Sequence, residues 1–264
     1  MCLVTLNWQP GTPVPLLVAA NRDEFYARPA RALHHWPGQG ILAGQDLQAG
    51  GTWLGLGGGV GSQRIRMAVL TNYRDAANHK PDAVSRGHLT AAFLNSAAGA
   101  RSYLEKLLET AHRYNPFNLI LFDGQDLMGF ESRHARLFEL PTGITAVSNA
   151  DFNTPWPKVQ RLRTAFEQTL VTHADHTLLY DQLFKLLADE QLAPDAALPQ
   201  TGMALDRERL LSAAFIRSPD YGTRASSVIR IKPQVAEFTE RCFDAGGFIG
   251  EVSQTLFSGE SCPS

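Results

Sequence analysis

Cys2 is the residue of this 264-residue chain best placed to do chemistry. With Met1 removed, its thiol would lie beside its own α-amine, whose ordinary pKa of about 7.7–8.0 suits a general base near neutrality. A free terminal amine activates a neighbouring nucleophile without a histidine or carboxylate, and a small second residue is compatible with loss of the initiator methionine. Taken alone, a small apolar residue following Met1 is the commoner reading. Three further clusters shift that balance. Ala20-Asn21-Arg22-Asp23-Glu24 sets four consecutive polar residues at the end of an apolar segment. Arg22 could orient or polarise a nucleophile there, and a carboxylate could hold the amine. Asn72 closes Ala68–Tyr73 and Asn149 closes Ala146–Asn149, and asparagine amides can donate to the oxyanion that develops in amide hydrolysis. Arg224, in Tyr221-Gly-Thr-Arg224, stands before a late strand. Each cluster by itself also reads as a solvated strand end or turn.

The elements that must position these residues follow from periodicity and turn signals. Strands are predicted at residues 2–8 and 16–21, joined by a turn holding Pro10, Pro13 and Pro15. Such a hairpin brings the Asn21–Glu24 segment back beside Cys2. Further strands are predicted at Ile41–Ala43, Thr52–Leu56 and Met67–Asn72, then helices at Gly87–Asn95 and Arg101–Tyr114. Strands return at Phe117–Phe122, Leu127–Glu131, Ala135–Glu139 and Ile144–Ser148, followed by helices at Pro155–Val171 and His176–Leu187. Ala193–Asp206 reads as a loop, Ser227–Ile231 with Val235–Phe243 as a closing hairpin, and Phe248–Phe257 as a last strand. Runs of strands broken by helix pairs suit an α+β fold better than alternating βαβ units. No linker or internal repeat divides the chain, so residues 1–264 read as one domain.

Composition excludes several classes. The formal net charge is −2, with both signs mixed along the chain, which argues against a basic nucleic-acid surface. No apolar run reaches the roughly 20 residues of a membrane helix, and no basic leader precedes one; a cytoplasmic protein is expected. Three scattered cysteines cannot build a disulfide framework or a zinc site. Cys242, between Arg241 and Phe243, reads as core, and Cys262 lies in a polar tail. Gly57-Gly-Gly-Val-Gly61 lacks the strand-to-helix setting of a nucleotide loop and reads as a flexible loop. His173 and His176 have no carboxylate partner, so no metal site is expected. His34 and His35 sit in a Pro/Gly-bounded loop, where a solvent-exposed pair is the simpler reading and an axial haem ligand the sharper one.

Cys2, Asn21–Glu24, Gly50-Gly-Thr-Trp-Leu-Gly55, Thr71-Asn-Tyr-Arg74, Ser85-Arg-Gly87, Ser148-Asn149 and Tyr221-Gly-Thr-Arg224 together resemble the NRDE family, also called the transport and Golgi organisation protein family. The motifs run in order along nearly the whole chain. The resemblance implies a four-layer αββα sandwich of antiparallel sheets of the N-terminal-nucleophile hydrolase type. By similarity to penicillin V acylases and bile salt hydrolases, Cys2 matches the nucleophile and Asn149 an active-site asparagine. On the same comparison Asn72 matches an oxyanion donor and Arg224 a late arginine. Those enzymes separate an arginine from the following aspartate, whereas Arg22 and Asp23 adjoin, so the roles of Arg22, Asp23 and Glu24 stay open. The family is also connected with haem trafficking and with acyl-coenzyme A or lipid binding. Two expectations follow. One is hydrolysis of a small amide or acyl substrate through Cys2, with no cofactor required. The other is non-catalytic carriage of haem, through His34 and His35, or of an acyl thioester in the same pocket.

Overall fold

The computed structural model describes residues 2–58, 64–172 and 176–259. The chain opens with β1 (Cys2–Trp8), β2 (Leu16–Phe25), β3 (Ala30–His35), β4 (Ile41–Asp46), β5 (Leu54–Gly57) and β6 (Arg66–Asn72). Helices α1 (Gly87–Leu94) and α2 (Ala100–Thr110) follow, then β7 (Phe117–Phe122), β8 (Leu127–Glu131), β9 (Arg136–Glu139) and β10 (Gly143–Val147). Helices α3 (Pro157–Thr172), α4 (His176–Leu187) and α5 (Leu205–Leu210) precede β11 (Tyr221–Ile231), β12 (Val235–Asp244) and β13 (Gly247–Phe257).

The strands form two antiparallel sheets. One is an unbroken seven-stranded meander, β3 to β9 in chain order; the other has six strands ordered β10-β1-β2-β11-β12-β13. Side-chain alternation decides what each face meets. Val4, Leu6 and Trp8 of β1, with Val18 and Ala20 of β2, pack against Met67, Val69 and Ile120 of the meander in the core between the sheets. Leu3, Leu17 and Ala19 turn the other way, onto Leu162, Phe166, Leu183 and Leu187 of α3 and α4. Helices α1 and α2 cover the far face of the meander through Phe93, Leu94, Leu104 and Leu107. The result is an α+β fold in which two antiparallel sheets lie between helices.

Several expectations need correction. The Asn21–Glu24 segment is not a turn after β2, because the strand continues to Phe25, paired with β11 through Asp23↔Thr223 and Glu24↔Gly222. Likewise β11 begins at Tyr221, so Arg224 lies inside a strand. His34 and His35 are in β3, not a loop; pairing with Ala43 and Leu42 of β4 outweighs the flanking Pro29 and Pro37. Within the expected Ala193–Asp206 loop, a short 3-10 turn forms at Asp195–Ala197, and α5 starts at Leu205. Cys242 is half-buried rather than core. Met1, Gly59–Gly61, His173 and Cys262 lie outside the described residues, as does the side chain of His176.

Asn21 shows why this sheet end is rigid. Its amide donates to the carbonyls of Leu187 and Ala214, both at 2.8 Å, and its Oδ1 accepts the Ser226 hydroxyl at 2.6 Å. One fully buried side chain thereby ties β2 to the end of α4, to the segment before β11, and to β11 itself. Asn21→Ala strands three buried partners, each at about 1–3 kcal/mol. We expect it to lower the urea unfolding free energy by about 3 kcal/mol or more while leaving Cys2 in place.

Candidate active site

A cavity of about 500 Å³ opens where the two sheets part, and its lining includes Cys2, Arg22, Asp23, Glu24, Asn72 and Arg224. Of the candidate catalytic residues, all but Asn149 therefore border one pocket. The register explains the grouping. Cys2 pairs with Arg22, Arg22 with Ala225, and Ala225 with Cys242. Directly paired residues share a face, so Cys2, Arg22 and Cys242 project into the space between the sheets. At about 4.8 Å per strand the two cysteines are some 14 Å apart, far beyond disulfide reach.

Cys2 is only 5 % exposed. Burial pushes its thiol up to about 11, reinforced by the charges of Asp23 and Glu24 and opposed by the terminal ammonium and Arg22. Its carbonyl, beyond the last pair with β10, is met by the Ser148 hydroxyl at 2.9 Å. The same hydroxyl lies 3.1 Å from Asn149 Oδ1, and Asn149 Nδ2 donates to the Asn72 carbonyl at 2.8 Å. Asn149 is fully buried behind the pocket wall. In this arrangement it links the start of β1 to the end of β6 and holds Asn72 at the cavity.

Alternation settles how the adjacent polar residues of β2 divide. Arg22 and Glu24 share the Cys2 face and form a charged wall with the β4 end. Arg22 Nη2 lies 3.6 Å from both Glu24 and Asp46, and Arg28 Nε is 2.7 Å from Asp46. Burial works against ionisation of Asp46, but the hydrogen bonds from Arg28 and the Ala49 amide, with both arginine charges, hold its carboxyl below the ordinary range. Asp23 takes the opposite, helix-facing side, where Thr223 Oγ1 donates to it at 2.8 Å. Arg224 is the residue left out of register between Thr223 and Ala225, a bulge that re-aims its side chain. Its guanidinium donates to the carbonyls of Phe25, Tyr26 and Arg28, and Nε to that of Phe243. It is the clasp of the β2–β3 turn.

Sequence reasoning missed much of the lining. Arg86 borders the cavity, donates to the Pro116 carbonyl at 3.3 Å, and has its pKa lowered chiefly by burial. Glu240 is buried on the β12 wall, accepting the Leu33 amide at 2.8 Å; burial raises its pKa. Cys242 Sγ lies 3.5 Å from it. His79 supplies the one imidazole among the lining residues described. Lys158, 2 % exposed in the first turn of α3, is also absent from the sequence reading. A signal existed: Lys158, Leu162, Phe166 and Thr169 form one helical stripe, and a lysine stands on its apolar side. His34 and His35 do not line the cavity; His34 Nδ1 pairs with the Ala32 carbonyl, and its ring stacks on Trp36. Among the described residues, Glu131, His134 and Asp151 could approach a common ion. Arg133 and His134 amides, Arg136 and Tyr73 already occupy their oxygens.

The glycine motifs form the outer wall. A Cβ on Gly51 would overlap the Gly87 backbone, and Thr52 N donates to the Gly87 carbonyl at 3.2 Å. This backbone-to-backbone contact seats the segment carrying Arg86.

Comparison with known proteins gives a consistent result. The family model described as "Transport and Golgi organisation 2" matches residues 1–245. The chain is 37% identical over 262 residues to a Bos taurus protein named "Transport and Golgi organization protein 2 homolog", covering 91% of this chain and 92% of that one. A Homo sapiens protein of the same name is 34% identical over 263 residues, with 91% and 92% covered. The Drosophila melanogaster "Transport and Golgi organization protein 2" is 29% identical over 261 residues, with 88% of each chain covered.

Two expectations follow from the geometry. Gly51→Ala forces the Gly87 segment outward, so Arg86 should become more accessible to an arginine-modifying dicarbonyl, with stability falling by about 1–3 kcal/mol. With Met1 retained, labelling of Cys2 by iodoacetamide should keep rising past the ordinary thiol range toward pH 11, as read by peptide mass. A plateau near pH 9 would contradict the burial described.

Proposed function

This chain belongs to the Transport and Golgi organisation 2 family, and from that premise and the pocket we propose that it is a cysteine N-terminal-nucleophile hydrolase acting on a small amide or acyl substrate through Cys2. The observation that carries the reading is the position of Cys2. It stands first in an interior strand, buried at the floor of a cavity and directly opposite Arg22. A thiol pushed up to about 11 is a poor nucleophile near neutrality, so attack requires a base within reach. Once Met1 is cleaved, the α-amine of Cys2 is that base.

The amine takes the thiol proton, and the thiolate adds to the substrate carbonyl carbon. Asn72, at the cavity wall, donates to the oxyanion, and Asn149 keeps Asn72 in position through its carbonyl. The α-ammonium returns its proton to the departing amine or thiol as the tetrahedral intermediate collapses. Water, deprotonated by the same amine, then cleaves the Cys2 thioester and restores the thiol. The positive charge of Arg22 stabilises the thiolate, while Trp53, Leu70 and Ile249 offer apolar wall to an acyl body. The reading places this in the cytoplasm, where the thiol stays reduced. Among the described residues no helix is long and apolar enough to cross a membrane.

A second reading has one observation in its favour: with its thiol held protonated, the same pocket suits non-covalent carriage of an acyl thioester or haem. Cargo ligation by His34 and His35 finds no support in their place outside the cavity. Intact mass separates the readings. Protein beginning at Cys2 should form a thioester adduct with an activated acyl probe at least about tenfold faster than protein with Met1 retained and blocked. Cys2→Ala should form none. Equal rates with and without Met1 would remove the hydrolase reading and leave the carrier.

A further inference from the structure

We propose that Lys158 is a positioning residue of the Cys2 site, a buried amine whose charge, set against Asp23 beneath the sheet, tunes the proton affinity of the Cys2 thiol and α-amine. The part concerning the α-amine rests on the nucleophile reading above; the part concerning the thiol does not.

The geometry begins with the division of β2. Arg22 faces the cavity with Cys2, so Asp23 faces the helix layer, where α3 packs on β1 and β10. Cys2 pairs with Arg22, so Asp23 is the next residue of β2 beyond that pair, on the opposite face. Lys158 comes up from the first turn of α3 on the same side. It is 2 % exposed, and its Nζ has no hydrogen-bond partner among the described residues. An amine desolvated without a hydrogen bond is costly, and a methionine would fill the space without that cost. The charged groups acting on it are Asp23 of β2, Arg74 after β6, Cys2 of β1 and Glu208 of α5. Asp23 acts on it most strongly, Arg74 opposes Asp23, and Cys2 comes next; Arg74 is itself paired with Glu208 at 2.5 Å.

The signs are definite. Burial lowers the Lys158 ammonium from an ordinary 10.5 to about 8, against the pull of Asp23. Lys158 is then charged near pH 7 and neutral near pH 10. While charged, it disfavours a second ammonium on Cys2 and favours the thiolate, so both groups release protons more readily. Near pH 10 that help is gone. The same burial penalises folding fully below about 8 and releases the penalty as pH rises toward 10.5.

The test compares wild type, K158M and K158R, each beginning at Cys2 and each with Met1 retained. Labelling of Cys2 by iodoacetamide is followed by peptide mass near pH 7 and near pH 10. K158M should label about five- to tenfold more slowly near pH 7, yet within about twofold of wild type near pH 10. K158R, charged at both, should keep the rate near pH 7. K158M should also melt above wild type below pH 8, with the gap closing at higher pH. A folded K158M whose rate is unchanged near pH 7, or is lowered equally at both pH values, overturns the proposal. Should the pH signature appear while removal of Met1 changes nothing, Lys158 keeps its role toward the thiol and the hydrolase reading alone falls. If K158M does not fold, the Lys158 Nζ is titrated by nuclear magnetic resonance in wild type and D23N. A midpoint near 8 that falls in D23N supports the coupling, and an ordinary midpoint indifferent to D23N refutes it.

Discussion

The two-sided pairing of β1 governs this molecule. β10 meets β1 only from Val4 onward, whereas β2 pairs it back to Cys2. The carbonyl of Cys2 is therefore left buried without a ladder partner, and an unmet carbonyl there would be costly. Ser148, just past the end of β10, supplies the missing donor, and through Asn149 the same residue pair reaches the end of β6 in the other sheet. Polar side chains at the sheet ends thus replace backbone pairing where the strands run out. The pocket exists because the two sheets part at that point.

Charge follows from the same constraint. Strand alternation splits consecutive polar residues between two environments: Arg22 and Glu24 meet Asp46 and Arg28 at the cavity, while on the other face Asn21 meets the end of α4 and Asp23 meets Thr223 of β11. The ion pairs at the cavity are largely buried, with side chains 12% to 28% exposed, and their charges set the field at Cys2. The pairs beneath the sheet are desolvated, so each depends on close partners. Arg74 and Glu208 have them, with Thr201 also bonded to Glu208 and the Trp156 ring 4.7 Å from the Arg74 guanidinium. Lys158 does not, which marks it as the residue whose placement packing alone fails to explain.

Period and turn chemistry made most elements legible. The strands β4 to β9 of the meander and the helices α1 to α4 were found because their apolar residues repeat at two or at three to four positions over long runs. What escaped was local pattern overridden by pairing. Asn, Arg, Asp and Glu in a row read as a turn, yet β11 along the whole segment and β1 as far as Arg22 hold Asn21–Glu24 extended. β3 escaped for a related reason: it is an edge strand with a register break between Arg31 and His34, and a broken alternation carries no period. The residues bordering the cavity were legible as motifs, but not their division of labour. Nothing in Tyr221-Gly-Thr-Arg224 announces a bulge, and without the bulge Arg224 cannot be assigned to the carbonyls of the β2–β3 turn.

Burial and reactivity pull in opposite directions at Cys2. Burial raises the thiol to about 11, so the proposed hydrolase chemistry needs a base that travels with the nucleophile or a cation that eases its ionisation. His79, the imidazole among the described lining residues, belongs to an exposed segment. Asp23 is buried and ionisable, but alternation turns it to the other face. An α-amine escapes both difficulties. It would be covalently fixed to the nucleophile, at the end of β1 where β2 runs on past Arg22 to Asp23. A catalyst built this way needs its first residue buried and its second strand polar at one position on each face, and β1 paired with β2 meets both requirements.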